Sequence, residues 1–261
     1  KTKLEQSIQE VMASELYRVA GIDAPNMKVM FDKDGKILGM ASEYIPNVGE
    51  AANGKNLFDS FIADAWLADW DAPKHGNSVM RNGTCLKMDV GGSMEYRARG
   101  TKKENFGGIV NELTSLIEQN GDYYSMTKAD VMSSLKHVTS VSDGQIWKII
   151  ENVPAEYRNY TLGQKMITRR DFIKKFEQIL EQMDETNYDN ILDLMNDAKL
   201  QAIKEFDSGV DIASLLGYQR TALGFEGLLN TRDLSNLGLK PQELAIARKM
   251  IKEIEDFTKF N

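Results

Sequence analysis

The sequence is poor in several residue types, and each scarcity excludes a class of protein. Cys85 is the single cysteine, so a disulfide within the chain and a zinc site built from several thiolates are both excluded. No uninterrupted apolar run reaches about 18 residues, the length that spans a bilayer. Positive charge is not in excess either: 32 Lys and Arg face 39 Asp and Glu, and a net charge of −7 argues against general binding to nucleic acid or anionic membranes.

What remains is typical of a soluble globular chain. The 261 residues, with 42% hydrophobic content, suffice for one large or two modest domains with a buried core. A single cysteine fits a reducing compartment, and no signal-peptide pattern is visible. The compartment stays open, with the cytoplasm favoured and export as an effector as the alternative.

The stretch 65–92 holds residue types that suit a site for a metal ion and a nucleotide. An apolar segment ends near Asp71, a polar loop carries Asn77, and Asp89 precedes two glycines. Mg²⁺ prefers oxygen ligands and usually takes only one or two side chains together with phosphate oxygens. Asn77 and Asp89 are therefore candidate metal ligands. Asp71 is left to orient an attacking hydroxyl and to accept its proton, as the base does in phosphoryl transfer.

A predicted hairpin explains how the two metal ligands would meet. Two short strands are expected at 78–80 and 84–88, around an Asn82-Gly83 turn. Asn77 precedes the first strand and Asp89 follows the second, so the hairpin would place them side by side. Two glycines after Asp89 would allow phosphate to approach the backbone closely.

The rest of the chain is predicted to be mostly helical. An apolar stripe indicates an amphipathic helix over 4–20, ended by Gly21, and strand-like runs follow at 27–31 and 37–44. Further helices are expected at 109–119, 127–137, 142–152, 161–184, 187–206, 209–216 and 241–259. The fold class expected is α+β and predominantly helical.

The run DAPKHGN over 71–77 and the DVG at 89–91 resemble the catalytic and metal loops of a known family. That family is the atypical kinase group that includes the HipA-like serine/threonine kinases and the phosphatidylinositol 3-/4-kinases. The resemblance implies ATP and Mg²⁺ as cofactors, with Asp71 as catalytic base, Lys74 beside the transferred phosphate, and Asn77 and Asp89 on the metal. The loop is one residue longer than the family's pattern, so Asp69 is the alternative base.

The resemblance extends to the first helix and the hairpin after it. Glu10 matches the helix glutamate that pairs with a lysine gripping the nucleotide phosphates, although the helical periodicity also makes Glu15 a candidate. The segment Glu43, Tyr44 and Ile45 corresponds to the hinge, whose backbone would meet adenine. No glycine-rich phosphate loop and no strand lysine precede the helix in this sequence. We infer that the part of the small lobe that would carry them was trimmed, disordered or never part of this chain, and in the last case nucleotide would bind poorly.

The resemblance implies a kinase-like architecture and a phosphotransferase activity. Residues 1–48 would form a partial small lobe, 49–185 a helical large lobe, and 186–261 a helical extension. The acceptor expected is a protein Ser/Thr hydroxyl. The alternatives are a phosphoinositide or small-molecule kinase and a catalytically inactive kinase-like binding module. A basic run at 94–103 follows the metal loop, where substrate would dock, but basic runs are more often solvated surface, which is the interpretation favoured here.

Overall fold

In a computed structural model of the chain, the described residues are 2–74, 76–104 and 106–206, together with the short strands Arg220–Thr221 and Gly224–Phe225. The fold of this part is α+β, as predicted, with seven α-helices and three two-stranded antiparallel sheets. Within these ranges, no helix has the combination of length and hydropathy needed to cross a bilayer.

The chain opens with helix α1 (Thr2–Val19) and a hairpin of strands β1 (Met27–Phe31) and β2 (Ile37–Ser42). The predicted helix and hairpin are both present. Strand β2 ends two residues earlier than predicted because its partner begins at Met27, which lies opposite Ser42 in the register. Beyond Ser42 one further backbone bond, from the Glu43 amide to Asn26 O at 2.8 Å, ends the hairpin.

The next elements lead into and out of the predicted metal loops. A 3₁₀ helix (Gly54–Ser60) runs into helix α2 (Phe61–Trp66), and strands β3 (Ser78–Arg81) and β4 (Thr84–Lys87) form the second hairpin. Its turn is Asn82-Gly83, both with positive φ (52° and 85°), as a tight two-residue hairpin turn requires. The prediction of this hairpin is confirmed.

The C-terminal half of the described chain is helical: α3 (Glu112–Gln119), α4 (Lys128–Thr139), α5 (Asp143–Glu151), α6 (Tyr160–Gln182) and α7 (Ile191–Glu205). Side-chain caps set several starts. Thr127 with Asp130 forms a capping box at α4, and Asn190 caps α7 by accepting from the Asp193 amide. Helix α7 therefore starts later than the predicted 187. The predicted helices 209–216 and 241–259 lie outside the described residues.

One apolar core joins α1 to α7. Trp66 is fully buried and its indole donates to the Met166 carbonyl at 2.9 Å, which ties α2 to α6. The buried face of α7 belongs to the same core, with α7 packed on α3 and α6, so the described part of the expected extension is continuous with the rest. A second, small apolar cluster consists of Ile45, Val79 and Leu86.

Candidate active site

The loop after α2 is built by short-range hydrogen bonds. Its backbone turns twice, with the Lys74 amide donating to Asp71 O at 2.9 Å and the Asn77 amide donating to Lys74 O at 3.0 Å. The Asn77 side-chain Nδ2 also donates to Asp71 O at 2.8 Å and closes the loop. Asp71 and Asn77 are therefore held together although the loop is longer than the family pattern.

The hairpin brings Asp89 to the same place. The Met88 amide donates to Asn77 O at 2.7 Å, and the Asp89 amide lies 3.4 Å from the same oxygen. The Asp89 carboxylate then turns back and accepts from the Gly91 amide at 3.0 Å. The predicted neighbourhood of Asn77 and Asp89 is what the structure has, because β3 and β4 pair Ser78 with Lys87 just before them.

Two glycines lie at the centre of four carboxylates. A Cβ on Gly91 would be 3.2 Å from Asp89 Oδ1 and 3.4 Å from Glu10 Oε2. A Cβ on Gly92 would be 3.1 Å from Asp71 Oδ2 and 3.6 Å from an oxygen of Asp69. The carboxylates approach the backbone this closely because neither residue has a side chain.

Glu10 faces this cluster from α1. Burial, followed by repulsion from Asp89, raises the pKa of Glu10 to about 7. The alternative residue, Glu15, lies elsewhere: its carboxylate pairs with Arg18 at 3.1 Å and lines a groove against β1 and α5. Of the two candidate helix glutamates, the structure brings only Glu10 to the metal loop.

Asp69 and Asp71 have opposite environments. Asp69 is fully buried and accepts from the Tyr17 and Ser93 hydroxyls, both at 3.1 Å. Burial, followed by the charge of Asp64, raises the pKa of Asp69 to about 6. The side chain of Asp71 is 23% exposed, and one of its oxygens accepts from the exposed ammonium of Lys74. Of these two carboxylates, only that of Asp71 reaches solvent.

The sequence interpretation missed a buried ion pair beneath the site. Lys87 Nζ donates to Asp64 Oδ2 at 2.8 Å, and both side chains are fully buried. Asp64 also accepts from the hydroxyls of Tyr17 (2.9 Å), Tyr123 (3.2 Å) and Ser60 (3.3 Å). In the sequence, Asp64 and Lys87 each stand among apolar residues. A charged residue inside an apolar segment is the one feature from which this pair could have been predicted.

The expected hinge is only partly brought to the site. The Glu43 amide donates to Asn26 O at 2.8 Å, and its carboxylate accepts from the Asn26 amide at 3.1 Å. Tyr44 is 86% exposed, whereas Ile45 is buried in the small cluster with Val79 and Leu86. The hinge candidate thus contacts the β3–β4 hairpin through Ile45.

A cleft of about 330 Å³ opens beside Asp71, and its lining includes Lys74, Gly92, Arg97 and Arg99. Its size is that of a small-molecule or peptide side-chain site. The described ranges contain no group of three or more His, Cys, Asp or Glu side chains that could hold a metal ion by themselves. The predicted ligand pair of one amide and one carboxylate is a smaller set that would share its ion with phosphate.

Comparison of the chain with protein-family models, with curated proteins and with solved structures found no match.

Proposed function

We propose that this chain is an ATP-dependent kinase with a kinase-like lobe arrangement, and that it transfers a phosphoryl group to a Ser/Thr hydroxyl of a protein. The observation that carries the proposal is the convergence at Gly91-Gly92 of Asp71, Asp89 and Glu10, which are distant in sequence. In phosphoryl transfer the protein mainly positions the nucleotide, the metal ion and the acceptor, and stabilises the charge of the transferred group. A cluster of carboxylates beside two glycines can do both.

The donor atoms fit a magnesium ion. The amide nitrogen of Asn77 is bound to Asp71 O, so its amide oxygen is the atom left for a cation. Asp89 uses Oδ1 for the Gly91 amide and keeps Oδ2. Both are hard oxygen donors of the kind Mg²⁺ selects. When bound, Mg²⁺-ATP supplies the phosphoryl group and offsets part of its negative charge.

The remaining residues divide the other tasks. Asp71 accepts a hydrogen bond from the acceptor hydroxyl through its free oxygen and takes the proton as the transfer proceeds. Lys74 pairs with the other oxygen of Asp71 and would contact the transferred phosphate, as the resemblance to the kinase loop implies. Gly91 and Gly92 leave the backbone open to the phosphates.

Glu10 and the hinge complete the nucleotide site in this proposal. No cation among the described side chains pairs with Glu10, which leaves its carboxylate for a cation that would grip the nucleotide phosphates. The hinge would meet adenine through its backbone, and Ile45 anchors the hinge by packing against Val79 and Leu86.

Thermal melting with ATP and Mg²⁺ tests the binding step. A ligand at about 100 times its Kd stabilises the folded state by about 2.7 kcal/mol, which raises the melting temperature by several degrees. Asp89→Ala is expected to abolish this rise, and Asp189→Ala, an exposed carboxylate elsewhere, to retain it. A wild type that melts at the same temperature with and without Mg²⁺-ATP would contradict the proposal.

Transfer of label from γ-labelled ATP tests the chemistry. Asp71→Asn is expected to lower the rate by roughly 10²- to 10⁴-fold while keeping the nucleotide-dependent rise in melting temperature. Binding of Mg²⁺-ATP without any transfer to the protein itself or to Ser/Thr peptides would instead identify an inactive kinase-like binding module.

A further inference from the structure

The basic run after the metal loop is folded into a tight turn, here called the basic turn (residues 96–102). Tyr96 and Lys102 form an antiparallel bridge at its base. The Arg97 amide donates to Thr101 O at 2.8 Å, and the Gly100 amide donates to Arg97 O at 2.8 Å. Gly100 has φ +85°, a conformation that glycine adopts without strain. The two arginines of the turn are thus presented by an ordered backbone.

A single glutamine fixes the basic turn relative to the metal loop. Gln6, on α1, directs its Nε2 to Arg97 O (3.3 Å), Ala98 O (3.4 Å) and Gly91 O (3.3 Å). The same amide therefore contacts the basic turn and the backbone one residue before Gly92. The position of the two arginines is therefore tied to the position of the metal loop.

The cleft beside Asp71 has a charge opposite to that of the whole chain. Its lining contains four cations, Lys74, Arg97, Arg99 and Lys103, and one carboxylate, Asp71. The chain as a whole has a net charge of −7. A concave surface lined by charge of one sign attracts ligands of the other sign.

Two of these four cations, Arg97 and Arg99, have neither a carboxylate nor a carbonyl partner among the described residues. Lys74 pairs with Asp71, and Lys103 Nζ donates to the carbonyls of Ala68 and Gly92, both at 2.6 Å. Arg97 lies over the Trp70 ring at 5.3 Å and is exposed, as is Arg99. Within the described part of the chain, neither arginine has an ion-pair partner. Their guanidinium groups remain for a ligand with carboxylates.

We propose that this cleft binds the acceptor as an acidic peptide segment, in which the hydroxyl to be phosphorylated is flanked by Asp or Glu side chains. The proposal rests on the proposed function and names its substrate class. The acceptor hydroxyl oxygen forms a bond to the γ-phosphorus while the bond from that phosphorus to the bridging oxygen of ADP breaks, and the hydroxyl proton goes to Asp71. Arg97 and Arg99 hold the flanking carboxylates. An anionic bilayer fits less well, because only two cations of the cleft, Arg97 and Arg99, are exposed without an ion pair among the described residues, fewer than the about 4–8 basic residues of lipid-binding clusters, and the chain is acidic overall.

Fluorescence anisotropy with the full chain tests this class of acceptor. The probes are three labelled peptides in which one serine is flanked by Glu, by Gln or by Lys. The Glu peptide is expected to bind roughly tenfold more tightly than the Gln peptide, with an advantage that shrinks as salt is added. Arg97→Gln combined with Arg99→Gln is expected to remove that advantage.

Lys102→Gln is the matched control. It changes the charge of the same basic turn, but Lys102 packs over the Tyr96 ring at 5.5 Å and lines a different pocket, with Glu5 and Glu156. The preference for the Glu peptide is expected to survive in this variant. Melting temperatures of all variants verify that the fold is kept.

Several outcomes would overturn the acidic-acceptor proposal. The first is equal or absent binding of the three peptides. The second is a loss of the preference for the Glu peptide in Lys102→Gln that equals the loss in the double arginine variant. The third is tighter binding of the chain to phosphatidylcholine vesicles that contain phosphatidylinositol 4-phosphate than to the Glu peptide. The binding assay contains no nucleotide, so it separates the two proposals. A preference for the Glu peptide without label transfer refutes the kinase and leaves the acidic-peptide site. Transfer of label to the Glu and Gln peptides at equal rates would support the kinase and refute the acidic-peptide site.

Discussion

The buried pair of Lys87 and Asp64 gives the sharpest test of how the site is supported. Both side chains are fully buried, and the Lys87 ammonium lies 2.8 Å from Asp64 Oδ2. Lys87→Met leaves a buried carboxylate with only hydroxyl donors, from Tyr17, Tyr123 and Ser60. Removing one partner of a buried ion pair costs about 3–5 kcal/mol. This is a large part of the roughly 5–15 kcal/mol by which folded domains are stable.

Urea denaturation followed by tryptophan fluorescence measures this cost, with the m value checked for constancy. The control is Lys175→Met, which breaks a partly exposed pair with Glu205 of 2.6 Å N–O distance and is expected to cost less than about 1 kcal/mol. A cost of Lys87→Met no larger than that of the control would refute the argument from desolvation.

The double variant Asp64→Asn with Lys87→Met separates the charges from the hydrogen bonds. Asparagine keeps one oxygen for the Tyr17 hydroxyl and places its amide nitrogen where the Tyr123 and Ser60 oxygens can accept, and the pair no longer carries a charge. The double variant is therefore expected to be less destabilised than the sum of the two single variants by roughly 2 kcal/mol. Additive costs would show that the two charges do not compensate each other.

Three further outcomes follow from close contacts. Burial and the charge of Asp89 raise the pKa of Glu10 from 4.5 to about 7, so the folded state favours the protonated carboxyl group. The difference in unfolding free energy between wild type and Glu10→Gln should therefore fall as the pH rises from 4.5 to about 7. A difference that does not change with pH would contradict this. Gly163→Ala places a Cβ 2.6 Å from Trp147, so denaturation should show a loss of roughly 1–3 kcal/mol despite the better helix propensity of alanine. Gly92→Ala places a Cβ 3.1 Å from an Asp71 oxygen and should lower the rate of label transfer roughly tenfold with little change in melting temperature; an unchanged rate would argue against Asp71 as the base.

The elements that local chemistry determines could be predicted from the sequence. The β3–β4 hairpin is set by its Asn82-Gly83 turn, and the helix starts by side-chain caps such as Thr127. The meeting of Asn77 and Asp89 follows from that hairpin alone. These features need no knowledge of distant residues.

The features that depend on distant residues could not be predicted. Nothing near Asp64 shows that its partner is Lys87, and the choice between Glu10 and Glu15 depends on how α1 is rotated against the metal loop. The basic turn was expected to be solvated surface. Its relation to the cleft depends on Gln6, whose bonds span 85 to 92 positions in sequence.

Helix α1 contacts the site at three points along its length: Gln6 on the Gly91 carbonyl, Glu10 beside Asp89, and the Tyr17 hydroxyl on Asp64 and Asp69. Local opening of α1 would therefore release the metal loop, the basic turn and the buried acids together. Hydrogen exchange should show the amides of α1 and of residues 89–92 opening with one common free energy. If the exchange behaves in this way, the site has an assembled and a released state, and a ligand that stabilises α1 would shift the population toward the assembled one.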